Sequence, residues 1–194
     1  MPEATDHRRA IAERNVAAIL DAAEALLARG ETASTAAVAR ESGVSRVTVY
    51  AHFPTREALL EAVTERSVRR FGATLAEVGL EHGPPREALD RLVERAWREI
   101  DRHGATALAA VAHLSPPALA RAHAALHAPI VALVERGRAE GAFRRDLPTG
   151  WLVSSYFALM HACAEDVGAG RLAAADAPRI LRATLADVFA GGAG

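Results

Sequence analysis

Cysteine is nearly missing from this chain: Cys163 stands alone among 194 residues. That excludes an intrachain disulfide framework and a multi-cysteine zinc site, and it fits a reducing compartment. Long apolar runs are missing as well. None approaches the roughly 20 residues needed to cross a bilayer, and the opening segment MPEATDHRRA has no apolar signal-peptide stretch. A cytoplasmic protein with no membrane partner is therefore expected. Lysine is absent, every basic residue other than histidine being arginine; alongside the abundant alanine this reads as a coding bias without functional weight. A strong charge of either sign is lacking too. The net charge of −1 argues against a surface coated with positive charge but leaves room for a local basic patch. Finally, no stretch alternates apolar and polar residues between turn signals, and β-branched residues are scattered, so strands are not expected.

What is present is helical periodicity in a chain that is 51% apolar and long enough to bury a core. Val16, Ile19, Leu20, Ala23, Leu26 and Leu27 follow the i, i+3, i+4, i+7 spacing of an amphipathic helix, which Gly30 ends. The spacing recurs at Leu89, Leu92, Val93, Ala96, Trp97 and Ile100, and again at Ile180, Leu181, Leu185, Val188 and Phe189. The fold class expected is all-α. Punctuation falls at HGPP (82–85), LSPP (114–117), GAFRRDLP (141–148) and VGAG (167–170), and Pro129 inside a helical run should kink or split it.

The stretch VARESGVSRVTVYAHFPTREALL, Val38 to Leu60, carries the most information. Thr35 is a candidate N-cap for a short helix, Gly43 supplies a left-handed turn residue, and Ser45 can cap the next helix. Helix, tight turn and helix, with inward Val44 and Val49, is helix-turn-helix chemistry. Burying Val49 leaves Arg46, Val47 and Thr48 outward near the N-terminus of the second helix, where a recognition helix meets base edges. Tyr50 and His52 can hydrogen-bond phosphate oxygens. Thr55 can cap a following helix whose amides, with Arg56, make another phosphate site.

The segment TAAVARESGVSRVTVYAHFPTREALLEAV resembles the N-terminal DNA-binding domain of TetR-type transcriptional regulators, over roughly residues 10 to 65. The shared pattern is the Gly-Val-Ser turn, a Tyr, an aromatic-flanked Phe, and a basic then an acidic residue before Leu. The resemblance implies that Thr35, Ser45, Arg46, Thr48, Tyr50, His52 and Arg56 contact double-stranded operator DNA, with Val44 and Phe53 in the small domain's core. Many members carry Gly or Pro where this chain has Val47, a β-branched residue able to press on a thymine methyl. Arg8 and Arg9 belong either to a flexible arm toward backbone or minor groove or to a solvated tail. Acids and bases roughly balance over residues 1–71, so DNA affinity rests on where the arginines sit and should fall with salt.

The domain organisation expected is a three-helix helix-turn-helix DNA-binding domain over residues 1–55, a connecting helix over 56–78 and a ligand-binding and dimerisation domain over 79–194. The C-terminal part resembles the family only in plan, which implies an inducer pocket and a homodimer interface there. Two closing helices, about Pro148 to Val167 and Ala175 to Ala190, are apolar on more than one face and so need a second partner. Trp151, Val153, Phe157, Leu185, Val188 and Phe189 are the candidate dimer contacts. Large side chains among many alanines mark the candidate pocket: Trp97, Ile100, Val111, His127, Ile130, Tyr156, Met160 and His161, suited to a small, mostly apolar molecule.

Other chemistries find little support. Ser115 and Ser154 have no Gly-rich elbow, Cys163 sits in an apolar helical run, and no phosphate-cradling loop or paired-acid motif is present, so neither an enzyme nor a cofactor is expected. His123 and His127 stand one helical turn apart with His113 as a third candidate, but no carboxylate or cysteine completes a set, and no metal site is expected. The reading is a ligand-responsive regulator, a dimeric repressor that a small molecule releases from its operator. The alternative is a helical protein-interaction module that has lost DNA binding, to which the balanced N-terminal charge lends some support.

Overall fold

The computed structural model describes residues 3–111 and 116–190, with side chains at 7, 9–101, 117, 124 and 126–190. Eight helices occur among them: α1 (Glu3–Ala28), α2 (Thr35–Ser42), α3 (Arg46–His52), α4 (Arg56–Glu77), α5 (Pro85–Val111), α6 (Pro116–Ala139), α7 (Thr149–Gly168) and α8 (Ala177–Phe189). No strand occurs among the described residues, in keeping with the all-α expectation.

The chain divides into two compact units, Met1–Ser67 with Ala105–Leu119, and Val68–Gly104 with Ala120–Gly194. The division falls within α4, between Ser67 and Val68.

In the first unit, the apolar stripe of α1 buries Ile19, Ala23 and Leu26 completely against Val38, Val49 and Val63, with Leu59 and Leu60 beside them. Gly30, with φ 71°, ends α1. Its amide donates to Leu27 O at 2.9 Å and that of Glu31 to Leu26 O at 2.9 Å, the paired bonds that satisfy the last orphan carbonyls of a helix. Arg66 of α4 ties back to α1, its guanidinium 2.8 Å from Asp21 Oδ1 and 3.0 Å from Glu24 Oε1. The stretch that the sequence leaves open between a flexible arm and a solvated tail is the start of α1, where exposed Arg9 pairs with Glu13 at 2.9 Å one turn on. The side chain of Arg8 lies outside the described residues.

The second unit is built on one apolar cluster drawn from α5 to α8 and the end of α4. α6 continues through Pro129 without splitting; packing of Leu126, Ile130 and Leu133 outweighs the one backbone hydrogen bond that proline forfeits. The GAFRRDLP turn fastens α6 to α8. Phe143 packs directly over Gly137, where an added Cβ would meet its ring carbon Cδ2 at 2.0 Å. The Phe143 ring meets Phe189 edge-on at 5.3 Å, and the Arg144 amide donates to Phe189 O at 2.9 Å.

Candidate functional site

α3 has seven residues, too few to persist as an isolated helix, so its neighbours must hold it. Three devices do so. Gly43 takes the left-handed conformation, φ 70°, at the end of α2. Ser45 stands outside α3 with extended backbone, and its Oγ accepts the Thr48 amide at 3.2 Å, a cap worth about 1 kcal/mol. Val49 is fully buried, which contributes roughly 1.5–3 kcal/mol and sets the rotation of the helix.

That rotation decides which residues face solvent. Arg46, Val47, Tyr50 and Ala51 are exposed, while Thr48 and His52 are half-buried. Val47 is 79% exposed and Tyr50 56%, unusual values for large side chains that a protein could have covered. Ser45 Oγ also lies 2.8 Å from Thr48 Oγ1, so both hydroxyls are engaged with each other.

The remaining candidates surround this helix. Thr55 caps α4, its Oγ1 accepting the Ala58 amide at 3.1 Å, so the free amides of that helix start beside half-buried Arg56. Thr35 is not the cap of α2. Ser34 is, with extended backbone (ψ 152°) and its Oγ 3.2 Å from the Ala37 amide, while Thr35 lies in the first turn, half-buried. Both residues have a capping hydroxyl; the fully buried Ala33 just before fixes where the chain enters the helix. Phe53 is buried and Val44 packs against the same cluster.

In the second unit, Trp97, Ile130, Tyr156 and Met160 are buried in one cluster, with Ile100 packed against it and His127 and His161 half-buried. Val111 ends α5, and its side chain lies outside the described residues. Tyr156 is fully buried, and its hydroxyl has no hydrogen-bond partner among the described residues. Burial pushes the phenol well above its ordinary pKa, so it stays protonated. Burial also lowers the His161 pKa, opposed by the nearby Glu165 carboxylate.

The expected dimer contacts divide in two. Val153, Leu185 and Phe189 are buried to 1% within the chain itself, so the protomer's own core takes up their side chains. Trp151 is 62% exposed, and Val188 is half-buried. Phe157 turns toward the aromatic group: it stacks on His127 at 4.7 Å and meets Tyr156 edge-on at 5.2 Å. The only sequence signal for these ring contacts is the adjacency of Phe157 to Tyr156.

A separate groove of about 450 Å³ in this unit is lined by Glu77, Asp90, Glu94, Arg91, Arg95, Arg98 and Arg182. Its charges are largely matched, Arg95 with Glu77 at 2.8 Å and Arg98 with Glu94 at 3.0 Å, which makes it a poor receptor for an apolar molecule. Among the described residues no group of three His, Cys, Asp or Glu side chains could hold a metal ion; His113 and the side chain of His123 lie outside them. No helix of the described residues is long and apolar enough to cross a membrane.

The family model for bacterial regulatory proteins of the tetR family matches residues 19–63, from the buried stripe of α1 through α3 into α4. The HTH-type transcriptional repressor LfrR of Mycolicibacterium smegmatis is 33% identical over 152 residues, covering 77% of this chain and 77% of that protein. The crystal structure of LfrR from Mycobacterium smegmatis in complex with proflavine matches with a TM-score of 0.70 at 28% identity, over 89% of this chain and 94% of that one. FadR from Bacillus subtilis, in complex with stearoyl-CoA, shares the fold with a TM-score of 0.76 at 14% identity, over 87% and 96% of the two chains. A third of the positions shared with a repressor over most of the chain, and the matching helix-turn-helix segment, place it in the TetR family: it is a DNA-binding transcription regulator and not an enzyme.

Proposed function

We propose that the protein is a cytoplasmic, homodimeric repressor that holds operator DNA through the outer face of α3 and releases it when a small, mostly apolar molecule enters the C-terminal unit. The observation that carries this reading is the rotation of α3, with Val49 fully buried and Arg46, Val47 and Tyr50 presented together to solvent. A helix so placed offers its N-terminal side chains to base edges and its flanks to phosphates. Thr55, Arg56, His52 and Thr35 are the proposed backbone contacts around it.

Two features support a ligand. The buried Tyr156 hydroxyl, without a partner among the described residues, carries a desolvation cost of roughly 1–3 kcal/mol that a bound acceptor would relieve. Trp97 and Phe157 add aromatic apolar surface to the same unit, with the His127 ring stacked on Phe157, and LfrR is known in complex with proflavine. Release follows from population shift: a ligand acts only as far as it prefers a conformation whose two α3 helices no longer fit successive grooves. α4 is the proposed lever, since it starts at Arg56 beside α3 and ends at Glu77 in the other unit.

A second copy is proposed to cover the outer faces of α7 and α8, where Trp151, Ser154, Ala158, Ala162, Ala183 and Ala186 are exposed. A two-fold dimer would read half-sites about 34–36 Å apart.

Fluorescence anisotropy against the duplex flanking the protein's own gene, with an unrelated duplex as control and a salt series, tests the reading. Binding that prefers the flanking duplex and weakens steeply with salt is expected. Absence of binding to any duplex at low salt would favour the protein-interaction module instead.

A further inference from the structure

Val47 is the most exposed large apolar side chain among the described residues, ahead of Trp151, Tyr50 and Ile11. It sits in the first turn of α3, on the outer face shared with Arg46, Tyr50 and Ala51. An isopropyl group neither donates nor accepts a hydrogen bond, and in a helix a β-branched side chain is nearly confined to one rotamer. Val47 is therefore a rigid apolar projection on a surface whose proposed partner, the major groove, is almost entirely polar. The one apolar group a standard base pair shows there is the 5-methyl of thymine.

The residues on either side sharpen this. Ser45 Oγ accepts the Thr48 amide and is bonded to Thr48 Oγ1 at 2.8 Å, so the hydroxyls two positions before and one after Val47 are engaged with the cap and with each other. Polar reading in this turn falls to Arg46, whose guanidinium suits the O6 and N7 acceptors of guanine. A polar residue at position 47 could accept several bases by adjusting its hydrogen bonds. Valine cannot adjust, and against an unmethylated pyrimidine edge it leaves polar groups desolvated and unpaired.

We propose that Val47 is a specificity-determining residue that selects a pyrimidine 5-methyl group, that of thymine, at one position in each operator half-site. The proposal rests on the reading of α3 as the major-groove helix. It has a regulatory corollary, because 5-methylcytosine presents the same methyl at the same place in the groove: cytosine methylation at that position would restore a contact that unmodified cytosine lacks.

The test begins with selection of a binding duplex from a random pool by the full-length protein. Each thymine of one half-site is then replaced singly by deoxyuridine, which removes only the methyl. The expected result is one thymine whose demethylation weakens binding of the wild-type protein roughly three- to five-fold, the worth of one buried methyl. Val47→Ala, which alters an exposed side chain and leaves the fold intact, should bind thymine and uracil duplexes equally at that position while keeping any preference elsewhere. A selected duplex at which no thymine-to-uracil change distinguishes wild type from Val47→Ala would overturn the Val47 assignment alone. A pool that yields no duplex would overturn the major-groove reading of α3 beneath it.

Discussion

Ser45 Oγ and Thr48 Oγ1 lie 2.8 Å apart, and the same Ser45 oxygen accepts the Thr48 amide, so the pair closes the first turn of α3 on itself. Both side chains are candidates for DNA contact by sequence, yet in the protein alone they serve the helix that carries the other candidates. Ser45→Ala should cost about 1 kcal/mol of stability in the first unit, within the range of lost N-caps. A lower thermal midpoint and weaker binding to every duplex are expected together. Thr48→Ala, which spares the backbone cap, should leave the ranking of operator variants unchanged; a changed ranking would mean that the Thr48 hydroxyl leaves Ser45 for a base.

Gly137 is held to glycine by Phe143, because an added Cβ would meet the ring at 2.0 Å. The ring cannot retreat easily, packed as it is against Phe189. Gly137→Ala should destabilise the protein by roughly 1–3 kcal/mol, the usual cost of overpacking a core. A urea midpoint equal to that of the wild type would contradict the packing described.

Tyr156→Phe removes a buried hydroxyl that has no partner among the described residues. Without ligand the variant should be as stable as the wild type or more so, by up to about 1–2 kcal/mol. Its operator complex should resist release by an effector that reaches the Tyr156 oxygen. A clear loss of stability without ligand would show that the hydroxyl is satisfied after all.

His161 gives the C-terminal unit a pH dependence. Burial lowers its pKa below the ordinary 6.5, so the folded state holds the imidazole neutral where the unfolded chain begins to bind a proton. Its contribution to stability is present above pH 6.5 and is lost as pH falls through the folded-state value. Comparing thermal midpoints at pH 7.5 and pH 5.5, His161→Gln should lose less stability on acidification than the wild type; an equal loss would assign the effect to other groups.

The oligomer can be tested on residues that the protomer does not use. Trp151 and Ala158 are exposed on α7, and replacing both with Glu should leave the fold intact while light scattering reports a mass near 20.5 kDa rather than twice that. Leu185→Glu would instead unfold the chain, since Leu185 is 1% exposed within it. A double variant that stays dimeric would move the interface off this face.

Much of the DNA-side geometry is legible in the sequence because it is local. A cap joins residues three apart, as in Ser45 with Thr48 and Thr55 with Ala58, and a left-handed turn asks for a glycine such as Gly43. Where two adjacent residues can play one part, local rules no longer decide, and Ser34 rather than Thr35 caps α2. The closing helices mark a deeper limit. α7 and α8 are apolar on several faces, and only packing with other helices determines that Val153, Leu185 and Phe189 turn into the core while Trp151 stays out. The ring contacts of Phe157 with His127 depend on bringing α6 and α7 together, a contact across thirty positions with no local signature. Pro129 shows the converse: a strong local signal to break a helix loses to the burial of its neighbours.

The outer face of α3 as the DNA-binding surface is tested most directly at Tyr50, which is exposed and outside both hydrophobic cores. Wild type and Tyr50→Ala would be titrated against one operator duplex under the same salt conditions, alongside thermal melts of both proteins. The account predicts matching melts and an affinity reduced roughly ten-fold or more, as expected when a charge-assisted phosphate contact of about 1.5–3 kcal/mol is lost. Equal affinity for the duplex, with melts equally matched, would contradict it.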